Sequence, residues 1–570
     1  MLWVTRRTIR VNRTATGWLV RRFVDPGATF CFGEPADVAR IQDDQVRSPR
    51  SCRAPSHFAG VSSRSSGRPR NPGPERLPLR CPVCITPFIP ARPHSVNVVN
   101  LVRPLLRALG SAIGVVALAG SVEGQRPPGS GDSSLTAVYG ATADSLIAAA
   151  TGDSAAYIRL GRLVDTFGHR LSGSASLEAA IDWIMGEMKA DGLQQVRGER
   201  VMVPHWVRGT ESAMLLEPRR IPLAMLGLGG SIATGTSGIT APVLVVSSFE
   251  DLEARAKEAR GKIVLFDVPF TTYRETVRYR VHGASAAARV GAVASLIRSV
   301  APFSIRSPHT GVMRYDSSAG RIPAAALSNE DAQMLHRFQS RGQPVVLRLT
   351  MGARTLPDSP SRNVVAEVVG RERPDEVVVL GGHIDSWDVG QGAMDDGGGS
   401  VAAWEAVRLI HRLGLKPRRT VRVVLWTNEE NGARGALAYR DAHSGELAQH
   451  VLAMESDNGT FSPRGFRFSG SDAALARLRQ IEPLLQRIGA GQVSRETESP
   501  EADIAPLVER GVPGLGLDVE RSRYFWYHHS DGDTLDKLDP AELGRCVAAL
   551  AVVAYIVADL PGGLPRTASR

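Results

Sequence analysis

The apolar positions of this chain change period along its length. Between Asp144 and Leu193 they recur at helical spacing, as in DSAAYIRLGRLVDTFG and LEAAIDWIMGEMKADG; the second stretch closes on Gly192, which suits a helix end. From about residue 206 to 350 short apolar runs separated by turn residues take over. IPLAMLGLGGSIATG, APVLVVSS, GKIVLFD (Gly261–Asp267), GAVASLI (Gly291–Ile297) and PVVLRLT (Pro344–Thr350) predict strands, with short helices between them. Beyond residue 362 the alternation becomes regular. RNVVAEVVG, EVVVLGG, TVRVVLWT (Thr420–Thr427), HVLAME (His450–Glu455) and GVPGLGLD (Gly511–Asp518) read as strands. Ser400–Leu413, Gly435–Ala442, Ala473–Ile488 and Pro540–Ala558 read as helices. Strands and helices in turn predict an α/β fold with a mostly parallel central sheet and helices on both faces. One domain, 141–205 plus 351–565, is then interrupted by a β-rich insert at 206–350.

Residues 1–95 lack sustained periodicity and are rich in Arg, Pro and Ser, so this segment is expected to be disordered, or to precede the true start of translation. Arg103 and Arg107 then precede the uncharged run Ala108–Val122, which ends in small residues. A basic stretch, a short apolar core and a small-residue end make 96–124 a predicted signal peptide, with a retained membrane anchor as the alternative. A linker follows at 125–140. The expected location is therefore outside the cytoplasm, secreted or periplasmic, with no stable membrane partner after cleavage.

Charge follows the same division. The net charge is +10, but the first 125 residues hold 18 Arg and no Lys against 7 acidic residues. The remainder, with 50 basic and 51 acidic residues, is close to neutral, which argues against a nucleic-acid partner. Only Cys546 lies in the body, so no disulfide framework supports it.

In open α/β sheets ligands bind beyond the carboxyl ends of the strands. After VVVLGG come His383 and Asp385, then Asp395 and Asp396; after TVRVVLWTN come Glu429 and Glu430; after HVLAME comes Asp457; beyond GVPGLGLD come His528 and His529. Four strand ends thus carry metal-ligand residue types. Carboxylates with two imidazoles suit a pair of borderline divalent ions, zinc first. Such a pair activates water for attack on a carbonyl. One carboxylate that binds no metal must take the water's proton, and adjacent Glu429 and Glu430 are able to divide the two tasks. Asp385 is placed to accept the far ring N–H of His383.

The series HxD, DDGGG, NEE, ESD and HHSDGDT, in this order, resembles the co-catalytic dizinc exopeptidases of peptidase family M28, over about residues 150–560. The resemblance implies one zinc on His383 and Asp457 and a second on Glu430 and His529, with Asp395 bridging both. It implies Glu429 as general base, Asp385 as the orienting carboxylate and His528 near the substrate as an oxyanion donor. It also implies that 206–350 is a protease-associated-type domain that roofs the site and carries no catalytic residue. The implied activity is hydrolysis of dipeptides or short peptides by a dipeptidase of carboxypeptidase type. The alternatives are an aminopeptidase of the same mechanism, a non-catalytic receptor-like member, or hydrolysis of a non-peptide amide. A homodimer is left open. Asp388 and Asp396 are expected as loop or cap residues, Asp533 and Thr534 as turn residues fixing the His529 loop. SPHTGVMRY (Ser307–Tyr315) is expected as a surface turn, and His309, like the other histidines of the body outside the motifs, as structural.

Overall fold

Successive residues of one buried strand define the layers. In Arg373–His383, Val378 and Leu380 enter one apolar cluster, while Val377 and Val379 enter another on the opposite face. A strand covered on both faces reads as an unbroken apolar run. The computed structural model describes residues 2–6, 29–33 and 134–566. Helices Ala155–Phe167, Ala175–Ala190, Gly398–Arg412 and Pro540–Asp559 contribute Leu160, Ile184, Trp404 and Val547 to the first cluster. Arg434–Ala442 and Ala505–Val508 contribute Ala436, Tyr439 and Leu507 to the second. Pro540–Asp559 is apolar enough to cross a membrane, yet 83% of its most apolar window is buried inside the protein. It is a core helix.

The sheet between these layers has eight strands, in the order Gln492–Arg495, Pro463–Ser469, Gly514–Val519, His450–Glu455, Arg373–His383, Arg419–Trp426, Arg354–Val368 and Gln194–Val207. Four of its seven strand pairings are parallel and three are antiparallel. The four central strands run parallel to one another; Pro463–Ser469 runs antiparallel to Gly514–Val519 but parallel to Gln492–Arg495, and Arg354–Val368 runs antiparallel to both of its neighbours. After Val207 the chain leaves this sheet, and it returns at Arg354, the residue paired with Val207. The excursion builds a second eight-stranded sheet, from Glu211–Glu217 to Val346–Met351, flanked by helices such as Tyr273–Arg289 and Asn329–Ser340. The insert boundaries expected at 206 and 350 therefore move to the ends of the Val207–Arg354 pair, because Trp206 and Val207 still belong to the first sheet.

Glu211–Glu217 and Ala324–Leu327 of the second sheet escaped the sequence reading, as did three strands of the first: Gln194–Val207, Pro463–Ser469 and Gln492–Arg495. Of these three, the first and last are edge strands, exposing alternate or charged positions that mask the apolar run. The helix expected at Ala473–Ile488 is broken into Asp472–Arg479, Glu482–Leu485 and a 3-10 turn, Gln486–Ile488. Pro483 lacks the N–H and clashes with the preceding turn. IPLAMLGLGGSIATG supplies two three-residue strands, Ile221–Leu223 and Met225–Gly227, rather than one long one. The linker expected to reach residue 140 ends earlier, since Leu135–Thr151 is a helix whose Ser134 cap accepts the Ala137 N–H. In the segment expected to be disordered, Leu2–Arg6 pairs in parallel with Thr29–Gly33, both rich in β-branched or aromatic residues. The expected signal peptide at 96–124 lies outside the described residues.

Candidate metal centre

Because the four central strands are adjacent and parallel, their carboxyl ends meet at one edge. His383 closes its strand, Glu429 and Glu430 follow Arg419–Trp426, Asp457 follows His450–Glu455, and His528 and His529 follow the Gly514–Val519 strand and a short helix, Tyr524–Tyr527. Asp395 stands at the centre. Its Oδ1 lies 3.2 Å from His383 Nε2, which in turn lies 3.2 Å from Asp457 Oδ1. Its Oδ2 lies 3.2 Å from His529 Nε2, which lies 3.0 Å from Glu430 Oε2. His528 Nε2 is further out, 3.6 Å from the same Oδ2, with its ring stacked on His529 at 3.5 Å between centroids. Asp395 Oδ2 is buried and has no hydrogen-bond partner among the described residues. One carboxylate thus faces two separate groups of donors with its two oxygens. A buried set of carboxylate oxygens and imidazole nitrogens at these separations fits divalent cations.

The electrostatics point the same way. Burial, followed by repulsion from Asp395, pushes the Glu430 carboxyl well above its ordinary range, and burial also raises Asp457. Burial alone would depress the His383 imidazole, but Asp457 and Asp395 outweigh it and hold it well above the usual value. Crowded anions that hold protons in this way are relieved by a cation placed between them.

The glycine-rich loop is shaped by close approach. A Cβ on Gly382 would lie 2.2 Å from Asp396 Oδ2, and one on Gly399 would lie 1.8 Å from the Ser456 carbonyl. Asp396, expected as a loop or cap residue, accepts the His383 and Gly399 N–H groups and so ties the strand end to the start of the next helix. Asp533 was expected to fix the His529 loop. Its oxygens also reach across to accept the N–H groups of Ala393, Met394 and Asp395, at 3.0, 2.7 and 3.2 Å. Burial pushes its carboxyl up to about 7. Arg170, which the sequence reading missed, is fully buried and donates to the carbonyls of Gly168, Ile384, Gln391 and Gly392. The only trace in the sequence was a short polar run, GHRLSG, between two apolar helices.

Glu429 and Glu430 separate as expected. Glu430 turns into the donor cluster, with its Oε1 accepting the Trp387 N–H at 3.1 Å. Glu429 lines the adjoining cavity, and its side chain has no hydrogen bond among the described residues. Burial, with Asp457, Asp385 and Asp395 adding to it, pushes the Glu429 carboxyl up to about 8. Asp385 differs from the expectation. The His383 Nδ1 proton is taken by the main-chain carbonyl of Asp385, at 3.0 Å, while the Asp385 carboxylate stands 3.8 Å away. That carboxylate accepts instead from the Glu429 and Glu430 N–H groups, at 3.0 and 3.3 Å. A residue two positions on in an extended chain presents its carbonyl to the ring more readily than its side chain. Asp385 therefore positions the glutamate pair.

The insert enters the site, which overturns the surface turn expected at Ser307–Tyr315. His309 and Thr310 are buried, not part of a surface turn. His309 Nδ1 donates to the His528 carbonyl at 2.6 Å, and the Thr310 N–H donates to the His529 carbonyl at 2.9 Å. Burial depresses the His309 imidazole to about 4, so it stays neutral and serves as a fixed donor. These two bonds grip the peptide around His529, which holds a left-handed φ of 59°. Asp388 pairs with Arg208, where the chain crosses into the insert. Between the two sheets lies a cavity of about 1470 Å³, lined by Tyr273 and Arg280 from the insert and by Asp395, Glu429, Asp457 and His529.

A model of peptidase family M28 matches residues 363–554, and one of the ChrB C-terminal domain matches residues 3–47. Carboxypeptidase Q of Mus musculus is 51% identical over 411 residues, covering 72% of this chain and 87% of that protein. Carboxypeptidase Q of Xenopus laevis is 52% identical over 410 residues, with the same coverage of 72% and 87%. The crystal structure of a peptidase M28 precursor from Shewanella amazonensis superposes with a TM-score of 0.73 at 36% identity, covering 76% of this chain and 99% of that one. A chain with this fold and this edge of carboxylates and imidazoles is a zinc-dependent metallopeptidase. Within that class it belongs to peptidase family M28.

Proposed function

We propose that this protein is an exported, co-catalytic dizinc exopeptidase that cleaves dipeptides or short peptides, a dipeptidase similar to carboxypeptidase Q. One observation carries the reading: Asp395 presents its two oxygens to two distinct groups, His383 with Asp457 and His529 with Glu430. In this reading His383 and Asp457 hold one zinc, Glu430 and His529 hold the other, and Asp395 holds both. Zinc bound there supplies Lewis acidity for a peptide carbonyl and makes a water acidic enough to deprotonate near neutral pH.

The protein's own groups supply the rest. Glu429, whose side chain has no hydrogen bond among the described residues and which lines the cavity, takes the proton of the attacking water and returns it to the leaving amine. Asp385 holds the backbone of Glu429 and Glu430, which keeps the base and the ligand on their separate sides. His528, beside His529 and less close to Asp395, faces the reacting carbonyl as a donor to the developing oxyanion. Its burial, followed by repulsion from His529, holds it well below the usual imidazole range, so it acts as a neutral donor. The 211–351 excursion is of protease-associated type in this reading, and it restricts entry to short chains. Export rests on the 96–124 pattern.

Metal analysis of protein expressed from residue 126 onward, together with a dipeptide panel blocked at the amino or the carboxyl end, tests the proposal. The expected result is two zinc ions per chain, with hydrolysis abolished by a chelator and restored by zinc. Cleavage of amino-blocked peptides rules out an aminopeptidase; strict dependence on a free amino end with indifference to the carboxyl end would establish one.

A further inference from the structure

The other buried arginines among the described residues each have acceptors for their charge. Arg419 meets Glu376, Arg422 meets Glu367, Arg208 meets Asp388, and Arg170 is caged by four carbonyls. Arg280 is different. It is 4% exposed, yet no carboxylate among the described residues forms an ion pair with it, and its Nε has no partner. Its bonds among the described residues all go to uncharged partners: Nη1 to the Thr310 carbonyl at 3.2 Å and to His529 Nδ1 at 3.4 Å, and Nη2 to the Tyr273 hydroxyl at 2.8 Å. Nη2 keeps a second N–H, and the Nε N–H is unused. A guanidinium buried without a counter-charge is costly, and such a group stays in a fold most readily where a ligand brings the anion.

The surroundings are built for this head group. Gly311 has φ 134°, and a Cβ there would lie 2.2 Å from Arg280 Nη1, so only glycine leaves room for the guanidinium. The Tyr273 ring stands 5.6 Å from the guanidinium carbon. Arg280 Nη1 is 3.4 Å from His529 Nδ1, on the side of that ring away from Asp395 and Glu430. The positive head thus stands about one imidazole ring from the donor cluster, and it lines the same cavity. Of the other arginines on the cavity wall, Arg274 is exposed and paired with Glu498, and Arg314 is exposed.

We propose that Arg280 binds the free C-terminal carboxylate of the substrate, so that the second sheet supplies the terminus specificity of a site assembled on the first. The assignment rests on the peptidase reading above. In a dipeptide the terminal carboxylate is three bonds beyond the scissile carbonyl carbon, a short reach that matches an anchor one ring away from the metal ligands. A planar guanidinium offers a carboxylate paired N–H groups, which an ammonium does not.

The test uses the zinc-loaded enzyme and one dipeptide in two forms, the free acid and the C-terminal amide. The wild type is expected to prefer the free acid by about 100-fold in kcat/KM. In Arg280→Met the free acid is expected to lose about that factor, mainly through KM, while the amide changes by only a few-fold, so that the preference disappears. Arg280→Lys is expected to restore part of it. The ratio of the two substrates is independent of the fraction of enzyme that is folded. No preference in the wild type, or a preference unchanged in Arg280→Met, overturns the role of Arg280 while leaving the peptidase reading intact. Failure of the zinc-loaded wild type to cleave either form overturns the peptidase reading itself.

Discussion

The two sheets contribute to the cavity by different routes. The first places its functional groups at the carboxyl ends of parallel neighbours, so each follows an apolar run in the sequence and all of them converge on one edge. The second places His309 and Thr310 in a connecting segment and Arg280 in the middle of the helix Tyr273–Arg289, far from any strand end. Groups of the first kind form the cluster of carboxylates and imidazoles, and groups of the second kind grip it and line the same cavity. A site divided in this way can change its substrate through the second sheet without disturbing the metal ligands of the first.

Mutations can separate the two contributions. The largest effect is expected on the first sheet: Glu429→Gln should lower kcat by about 10²–10⁴-fold while zinc content by metal analysis stays unchanged. Loss of zinc along with activity would move Glu429 into the ligand set. Trp404, fully buried in the cluster under the first sheet, sets the stability scale, and Trp404→Ala should cost about 3–5 kcal/mol in denaturant unfolding. If the second sheet melted separately, this change would leave one transition in place. His309→Ala, on the insert side, removes the donor to the His528 carbonyl and should weaken zinc affinity or activity by about 10–100-fold. An unchanged affinity would reduce the insert to a roof.

The smallest effect concerns pH in the metal-free protein. Asp533 is held at about 7, and Glu429 and Glu501 at about 8, all by burial first. Their folded-state values lie above the unfolded ones, so the folded protein binds more protons. The stability they contribute is present in full below the ordinary carboxyl range and is lost as pH rises through the folded values. The Tm of chelator-treated protein should therefore fall between about pH 5 and pH 8, and added zinc should reverse the fall. A Tm that rises over this range would contradict the assigned burial.

How much of this was legible depended on whether a function was local to its strand. His383, Glu430 and Asp457 follow apolar runs closely, Asp395 stands in the glycine loop after the first of them, and the parallel pairing that unites those runs is itself implied by their alternation with helices. Asp385 was visible, but its task was not: whether its carbonyl or its carboxylate meets the His383 ring is decided by the backbone direction after the strand. The edge strands were missed because an exposed edge needs no continuous apolar run. Arg170 and Arg280 look in sequence like solvent-facing arginines, and only the fold buries them.

The sequence by itself determined which carboxylates and imidazoles stand beyond the strand ends and the order in which strands deliver them to one edge, since hydrophobic period and strand-end position are properties of short segments. The tertiary structure alone decided that the second sheet closes over that edge, that His309 and Thr310 grip the His529 loop, and that an arginine without a counter-ion faces the cavity. Those contacts join residues more than two hundred positions apart, and no local pattern records which distant backbone a buried side chain will meet.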